Sequence, residues 1–111
     1  MYAYDKAGCG GASHVYIVHP FGDDPRDTGE HDCLTIIQFQ NGPRDDENSN
    51  SGVVDTDLLE IVRDRLTAFQ SGDYACNENA NALRHIEEAL LWLNKRVEDR
   101  AERGVLGTNN I

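Results

Sequence analysis

Three arginines near the C-terminus have a spacing that could bind an anionic group. Arg96, Arg100 and Arg103 follow one another at four- and three-residue steps, with Trp92 one turn earlier, so on a helix they form one stripe. Guanidinium groups bind phosphate through two parallel hydrogen bonds, and an indole ring can stack on a flat base. The same cations could instead stabilise the negative end of the helix dipole and pair with neighbouring carboxylates. The spacing leaves both interpretations open.

A second group of side chains suited to a nucleotide precedes these arginines. It consists of aromatic rings and amides that could contact a base or a ribose: Phe69, Gln70, Tyr74, Asn77, Asn79 and Asn81. Phe69 could equally be a core residue and Asn77 a helix cap. Asn79 and Asn81 are harder to explain structurally, because asparagine is unfavourable inside a helix.

Catalytic and metal-binding interpretations have less support. Glu87 and Glu88 are adjacent, so their side chains diverge on a helix, and the acidic run 45–47 is more simply a solvated loop. No known metal-site spacing occurs among His14, His19, His31 and Cys33. The sequence also has no phosphate-binding glycine loop. We therefore expect no catalytic residue, metal or cofactor. The competing hypothesis is a nucleotide hydrolase, in which the acidic clusters would converge on a metal.

The apolar pattern predicts two helices that carry these groups. Apolar residues recur at helical spacing up to Gly72, and again from 77 or 78 to 103. Asp55 or Thr56 is expected to cap the first helix. Gly72 is expected to end that helix in the left-handed cap conformation, and Gly104 to end the second. The short connection predicts an antiparallel hairpin.

The N-terminal half predicts β structure. Residues 14–18 and 33–40 are rich in β-branched and aromatic side chains, with an acidic loop between them. The expected fold is α+β, with a small N-terminal antiparallel β-ribbon or sheet packed on the C-terminal helical hairpin. Residues 1–13 are expected to be a flexible N-terminus and 14–111 a single domain, with a β part at 14–43, a loop at 44–56 and the hairpin at 57–103.

The second helix is expected to be much longer than the first, at ~39 Å against ~20 Å for a rise of 1.5 Å per residue. Its C-terminal half then has four apolar side chains without cover in the chain: Leu90, Trp92, Leu93 and Val97. We therefore expect an oligomer that uses this half. Asn79 and Arg96 lie ~25 Å apart along the helix. In an antiparallel pair of protomers the two polar groups would meet, which gives two composite pockets per dimer.

Composition limits the class of partner. The 111 residues carry a formal charge of −10, which disfavours nucleic acid polymers and anionic membranes as partners. Three widely spaced cysteines without a CxxC pair indicate a reducing compartment. The sequence has no apolar run of membrane-spanning length and no segment of signal-peptide type. A soluble cytosolic protein is expected.

Three segments of the sequence closely resemble the phage-encoded Thoeris anti-defence proteins of the first type, a family related through its helical hairpin to the phage anti-CBASS sponges. The segments are IIQFQNGP at 36–43, DLLEIVRDRLTAFQSGDYACNENANAL at 57–83 and EEALLWLNKRVEDRAERGVLGT at 87–108. The likeness covers roughly residues 34–110, and residues 1–32 carry little of it.

The resemblance implies a sponge without enzymatic activity. Such proteins bind and sequester cyclic ADP-ribose isomers (glycocyclic ADP-ribose) made by bacterial TIR-domain enzymes, which keeps the downstream effector inactive. The resemblance also implies a homodimer that can assemble into a hexamer and, in some members, separate sites for cyclic di- or trinucleotides. The expected location is the cytoplasm of the infected bacterial host.

Five ligand-contacting positions of that family have matching residues here: Arg44, Phe69, Asn79, Arg96 and Arg100. The resemblance implies that Arg96 and Arg100 neutralise the pyrophosphate and that Phe69 stacks on adenine. Asn79 would hydrogen-bond a ribose or base edge, and Arg44 follows a turn from which a loop could reach a phosphate. The alternative is a small dimeric adaptor that binds a protein, with the arginine stripe forming interface ion pairs.

Overall fold

The computed structural model of the protein describes residues 1–19, 34–43, 47–106 and 108. They form two compact units, one within residues 1–53 together with Thr108, the other residues 54–106. The first contains a three-stranded antiparallel sheet and the second a pair of helices. This architecture confirms the predicted α+β class with a helical hairpin. The finer division into a flexible 1–13 and a single domain 14–111 stays a prediction.

The sheet has the strand order β1–β2–β3, with β1 at Tyr2–Ala3, β2 at Val15–Val18 and β3 at Thr35–Gln38. Both pairings are antiparallel, and the β2–β3 register places Tyr16 opposite Ile37. These two strands lie inside the segments that the sequence predicted. Strand β1 was not predicted, because two residues are too few to show an alternating pattern.

The hairpin consists of α1 at Asp55–Gln70 and α2 at Asn77–Glu102. Val54, not Asp55 or Thr56, occupies the N-cap of α1, and the Asp57 carboxylate accepts a hydrogen bond from the Val54 N–H at 2.9 Å. The predicted caps were therefore wrong by one or two residues. The Asp57 carboxylate lies three residues into the helix. It satisfies a free amide as well as a side-chain acceptor at the N-cap position would.

The two helices end differently. Gly104 has a φ of 72° and follows the last turn of α2, as predicted for a left-handed cap. Gly72 does not take a positive φ, and α1 ends instead in hydrogen bonds from Ser71 and Gly72 to the carbonyls of Ala68 and Phe69. The cap predicted at Gly72 was therefore wrong in its conformation.

Little apolar surface is enclosed within one chain. Among the described residues, Leu90 at 4% exposure is the one hydrophobic residue that is buried. This corrects the expectation that Leu90 lacks cover, whereas Trp92 at 63% and Val97 at 43% are exposed as expected. No helix in the described ranges is long and apolar enough to cross a membrane.

Candidate functional site

The C-terminus of α2 fixes Arg100 through both its backbone and its side chain. The N–H of Val105 donates to the Arg100 carbonyl at 3.0 Å and the N–H of Gly104 to the Ala101 carbonyl at 3.1 Å, the two bonds of a Schellman motif. The Arg100 guanidinium in turn donates to the Val105 carbonyl at 3.0 Å. Arg100 is only 8% exposed. A guanidinium buried to this extent is costly unless it is hydrogen-bonded, which the turn achieves.

The other cations of this segment have different surroundings. Arg96 lies one turn before Arg100 and is exposed. Arg103 pairs with Asp99 at 3.1 Å on the exposed surface, as the helix-end interpretation of the stripe predicts. Lys95 places its Nζ 5.5 Å from the centre of the Trp92 ring, so one face of that indole already has a cation. The stripe therefore divides into an exposed ion pair at Arg103 and a fixed, buried guanidinium at Arg100.

The opposite end of the hairpin orients Asn79. Asn79 is the third residue of α2, and its backbone N–H donates to the Sγ of the N-cap residue Cys76 at 3.4 Å. Its side-chain Nδ2 donates to the Tyr74 carbonyl at 3.3 Å. The connection itself is held by Gln70, whose Oε1 accepts the Cys76 N–H at 3.0 Å. Because Nδ2 faces a carbonyl oxygen, Asn79 presents its other atom, Oδ1, as an acceptor.

Phe69 lies in the last turn of α1, at the same end of the hairpin as Asn79. The ring keeps 38% exposure, which is incompatible with the core role that the sequence left open. The Arg65 guanidinium carbon lies 5.4 Å from the ring centre, within the range of a cation–π contact. Phe69 is therefore an accessible aromatic surface with a cation on one face.

The four predicted ligand contacts that the structure describes are not brought together within one chain. Arg44 lies outside the described residues. Phe69 and Asn79 lie at the connection between the helices, and Arg96 and Arg100 lie toward the far end of α2. The continuous helix from Asn79 to Arg96 spans ~25 Å at 1.5 Å per residue.

Sequence reasoning missed two neighbours of these residues. Arg65 precedes Phe69 by four positions, a spacing that places both on one helix face, so that signal was available. Cys76 was treated only as part of the connection. Its role as the N-cap of α2 has a weak sequence signal, because thiols are much rarer caps than hydroxyls or carboxylates.

A separate concave site lies in the sheet-containing unit. Its volume is about 310 Å³, and the residues that line it include Asp5, His14, Asn41 and Asn50. The His14 ring is buried, and its Nδ1 has no hydrogen-bond partner among the described residues. No group of three metal-ligating side chains forms a metal site in the described ranges; His31 and Cys33 lie outside them.

Comparison with known proteins identifies the family. Residues 33–98 match the family model of the Acb2/Tad1 hairpin domain. The chain is also similar to Thoeris anti-defense 1 from Bacillus phage SBSphiJ7, with 46% identity over 76 residues, which cover 68% of this chain and 53% of that protein. The chain thus spans about half the length of that relative. By the family match and this identity, the protein belongs to the Acb2/Tad1 hairpin-domain family.

Proposed function

We propose that this protein is a phage anti-defence sponge, which binds a cyclic ADP-ribose isomer and withholds it from the effector of the host's immune system. The family match and the similarity to a phage protein named for anti-defence support this role. The proposed ligand is glycocyclic ADP-ribose made by bacterial TIR-domain enzymes. The proposed place of action is the cytoplasm of the infected bacterium.

The observation that best supports the proposed binding site is the fixed guanidinium of Arg100. A nearly buried cation held by the turn that ends its own helix is pre-ordered, so a bound diphosphate would not have to immobilise a flexible side chain. Arg96, one turn away and exposed, supplies a second cation of the same stripe. Two guanidinium groups suit the two phosphates of such a ligand. In this proposal Arg44 adds a third contact.

At the other end of the hairpin, the ligand contacts would be an aromatic face and an acceptor. Phe69 offers its exposed ring to the adenine. Asn79 offers Oδ1, because its Nδ2 already bonds the Tyr74 carbonyl. The Oδ1 atom can accept from a donor of the ligand, such as a ribose hydroxyl or the adenine amine.

The two ends would combine in a dimer. Phe69 and Asn79 of one protomer cannot reach a ligand held by Arg96 and Arg100 of the same α2, given the ~25 Å between them. An antiparallel pair of α2 helices would bring each arginine end to the partner's connection, and it would cover Trp92 and Val97. We therefore propose a homodimer with two composite pockets, which can assemble into a hexamer.

Sequestration requires high affinity for the ligand and enough copies of the protein, but no residue that breaks a bond in the ligand. We propose that the ligand leaves the protein unchanged. Separate sites for cyclic di- or trinucleotides, as in some members of the resembled family, would add to the signals withheld.

A second candidate function is a small dimeric adaptor that binds a protein. The exposed apolar side chains of α2, Leu91 and Trp92, favour it, because apolar groups of this size are common at protein interfaces. In that case the arginines would form ion pairs with the partner, and no cyclic nucleotide would bind.

Isothermal titration of the purified protein with glycocyclic ADP-ribose tests the proposal. We expect binding near one ligand per chain. Arg100→Ala should weaken it by at least ~10-fold, the usual cost of losing a charge-assisted hydrogen bond. Arg96→Ala gives the same test at an exposed position whose loss should leave the fold intact. Arg103→Ala is the matched control: it removes an equal charge from an exposed ion pair and should change the affinity less than threefold.

Heating the wild-type complex and identifying the released molecule by mass spectrometry completes the test. Recovery of the intact ligand is expected. A hydrolysed product would point to the hydrolase class. No heat of binding would contradict the sponge and leave the adaptor.

A further inference from the structure

Arg65 and Phe69 form a pair on one face of α1. They are four residues apart, and the Arg65 guanidinium carbon lies 5.4 Å from the centre of the Phe69 ring. This separation is typical of a cation over an aromatic face, where the negative quadrupole of the ring attracts the charge. Phe69 nevertheless remains 38% exposed. One face of the ring is therefore occupied while part of the ring is still accessible.

A second arginine on the same helix shows that this placement is not shared by every cation of α1. Arg63 pairs with the Glu60 carboxylate, the ordinary partner of a surface arginine on a helix. Among the described residues, no carboxylate comes within 4 Å of the Arg65 guanidinium, and its contact is the Phe69 ring. Two residues of equal charge thus have different partners, a carboxylate and an aromatic ring.

We propose that Arg65 is a further positioning residue of the ligand site, which holds the Phe69 ring and determines the face on which a planar base stacks. The inference rests on the proposed function, in which Phe69 receives the adenine. With the guanidinium on one face, the base stacks on the other, and the ring lies between a cation and a purine. The cation on that face restricts the orientations that the ring can take.

Titration of glycocyclic ADP-ribose into variants at Arg65, Arg63 and Phe69 tests this role. Arg65→Ala should weaken binding about three- to fivefold, the size expected for loss of an exposed cation–π contact. Arg63→Ala removes the same charge from the same helix and should change affinity less than twofold. Arg65→Lys keeps a cation within reach of the ring and should restore most of the loss. In a Phe69→Ala background, Arg65→Ala should have no more effect than Arg63→Ala.

The outcomes separate this inference from the proposed function. If the wild-type chain binds and Phe69→Ala weakens binding, but Arg65→Ala behaves as Arg63→Ala does, the role of Arg65 is overturned and the sponge stands. An Arg65→Ala effect that persists undiminished without the Phe69 ring would also overturn it, since the residue would then act on the ligand by charge alone. Absence of binding by the wild-type chain overturns the proposed function and the role of Arg65 together.

Discussion

Arg100 lies in the last turn of α2 and Arg103 is its C-cap residue, yet their side chains have different partners. Arg103 pairs with Asp99, whereas Arg100 donates to the Val105 carbonyl and is buried. The spacing predicted one stripe and left two roles open for it, because helical spacing reports only which face a residue lies on. The partner of the Arg100 guanidinium depends on how the chain continues after Gly104, which spacing does not encode.

In the sheet-containing unit, Asp5 anchors the start of β2. Its carboxylate accepts hydrogen bonds from the N–H groups of His14 and Val15, with distances of 2.9 and 3.0 Å to the former and 2.9 Å to the latter. The Val15 bond lowers the pKa of Asp5 and the His14 bond acts in the same direction, against the opposing effect of burial. Asp5 therefore favours the folded state when it is ionised.

The sign of the pH dependence follows from that lowered pKa. The contribution of Asp5 to stability is fully present above its ordinary pKa of 3.8 and is lost as the pH falls through the lower pKa of the folded state. We expect wild-type protein and Asp5→Asn to differ in unfolding midpoint at pH 6 and to converge well below pH 3.8. Urea unfolding across that pH range measures the difference in midpoint between the two proteins. A constant difference at all pH values would contradict the role of the carboxylate charge.

Hydrogen exchange at His14 and Val15 gives an independent measure, because both amides donate to Asp5. The expected result is protection that falls on acidification in the wild type and is low at every pH in Asp5→Asn. Fast exchange at every pH would instead support the flexible N-terminus that the glycine-rich sequence predicts.

At the scale of elements, helices were predicted more accurately than their ends. The apolar periodicity extends over several turns in α1 and α2, so it placed both within about two residues. A cap depends on a single side chain or dihedral angle. At the start of α1, Val54 is the N-cap residue and Asp57 supplies the side-chain acceptor. The β1 strand was missed for the related reason that it is only two residues long.

The N-cap of α2 offers a stability test. Cys76 accepts the Asn79 N–H through Sγ at 3.4 Å, and serine is a stronger acceptor at this position. Cys76→Ser should raise the free energy of unfolding by about 0.5 kcal/mol, and Cys76→Val should lower it by a similar amount. Urea denaturation monitored by circular dichroism measures both. Equal stability of the two variants would show that the thiol does not cap the helix.

The two glycines after the helices provide a matched pair. Gly104 has a φ of 72°, Gly72 has no positive φ, and an added Cβ would meet no atom within 4 Å at either position. Gly104→Ala should therefore lower the free energy of unfolding by about 1 kcal/mol through backbone strain, while Gly72→Ala should be neutral or slightly stabilising. Thermal unfolding distinguishes them. A comparable loss in both would contradict the left-handed cap.

Gly104→Ala should also reduce ligand affinity in the titration described above. The turn at Gly104 presents the Val105 carbonyl to the Arg100 guanidinium, so a strained turn would release the side chain. Unchanged affinity would show that Arg100 does not depend on this turn for its position.

At the scale of the whole molecule, the apolar surface of α2 argues for self-association. Leu91, Trp92 and Val97 are exposed on this helix, and covering such side chains is a main source of free energy in homodimers. The sequence predicted this from unequal helix lengths, and α1 with 16 residues against α2 with 26 agrees with that inequality. It could not foresee the burial of Leu90, which depends on tertiary packing.

We expect sedimentation velocity to find a dimer or a larger even assembly at micromolar concentration. Trp92→Glu should shift the distribution toward monomers, because a charge replaces an apolar contact. Ile61→Glu, at a similarly exposed apolar position of α1, is the control and should leave the assembly unchanged. A monomeric wild-type protein would contradict the composite pocket, since both ends of α2 would then lack their partner.

The near absence of fully enclosed apolar side chains has a consequence for abundance. A chain in which Leu90 is the one buried hydrophobic residue among those described opens often when alone, and open chains are what cellular proteases degrade. Pairing would slow that loss, because association stabilises whatever form binds. The half-life of the protein would then lengthen as its synthesis proceeds. The number of binding sites in the cell would therefore rise more steeply than the rate of synthesis.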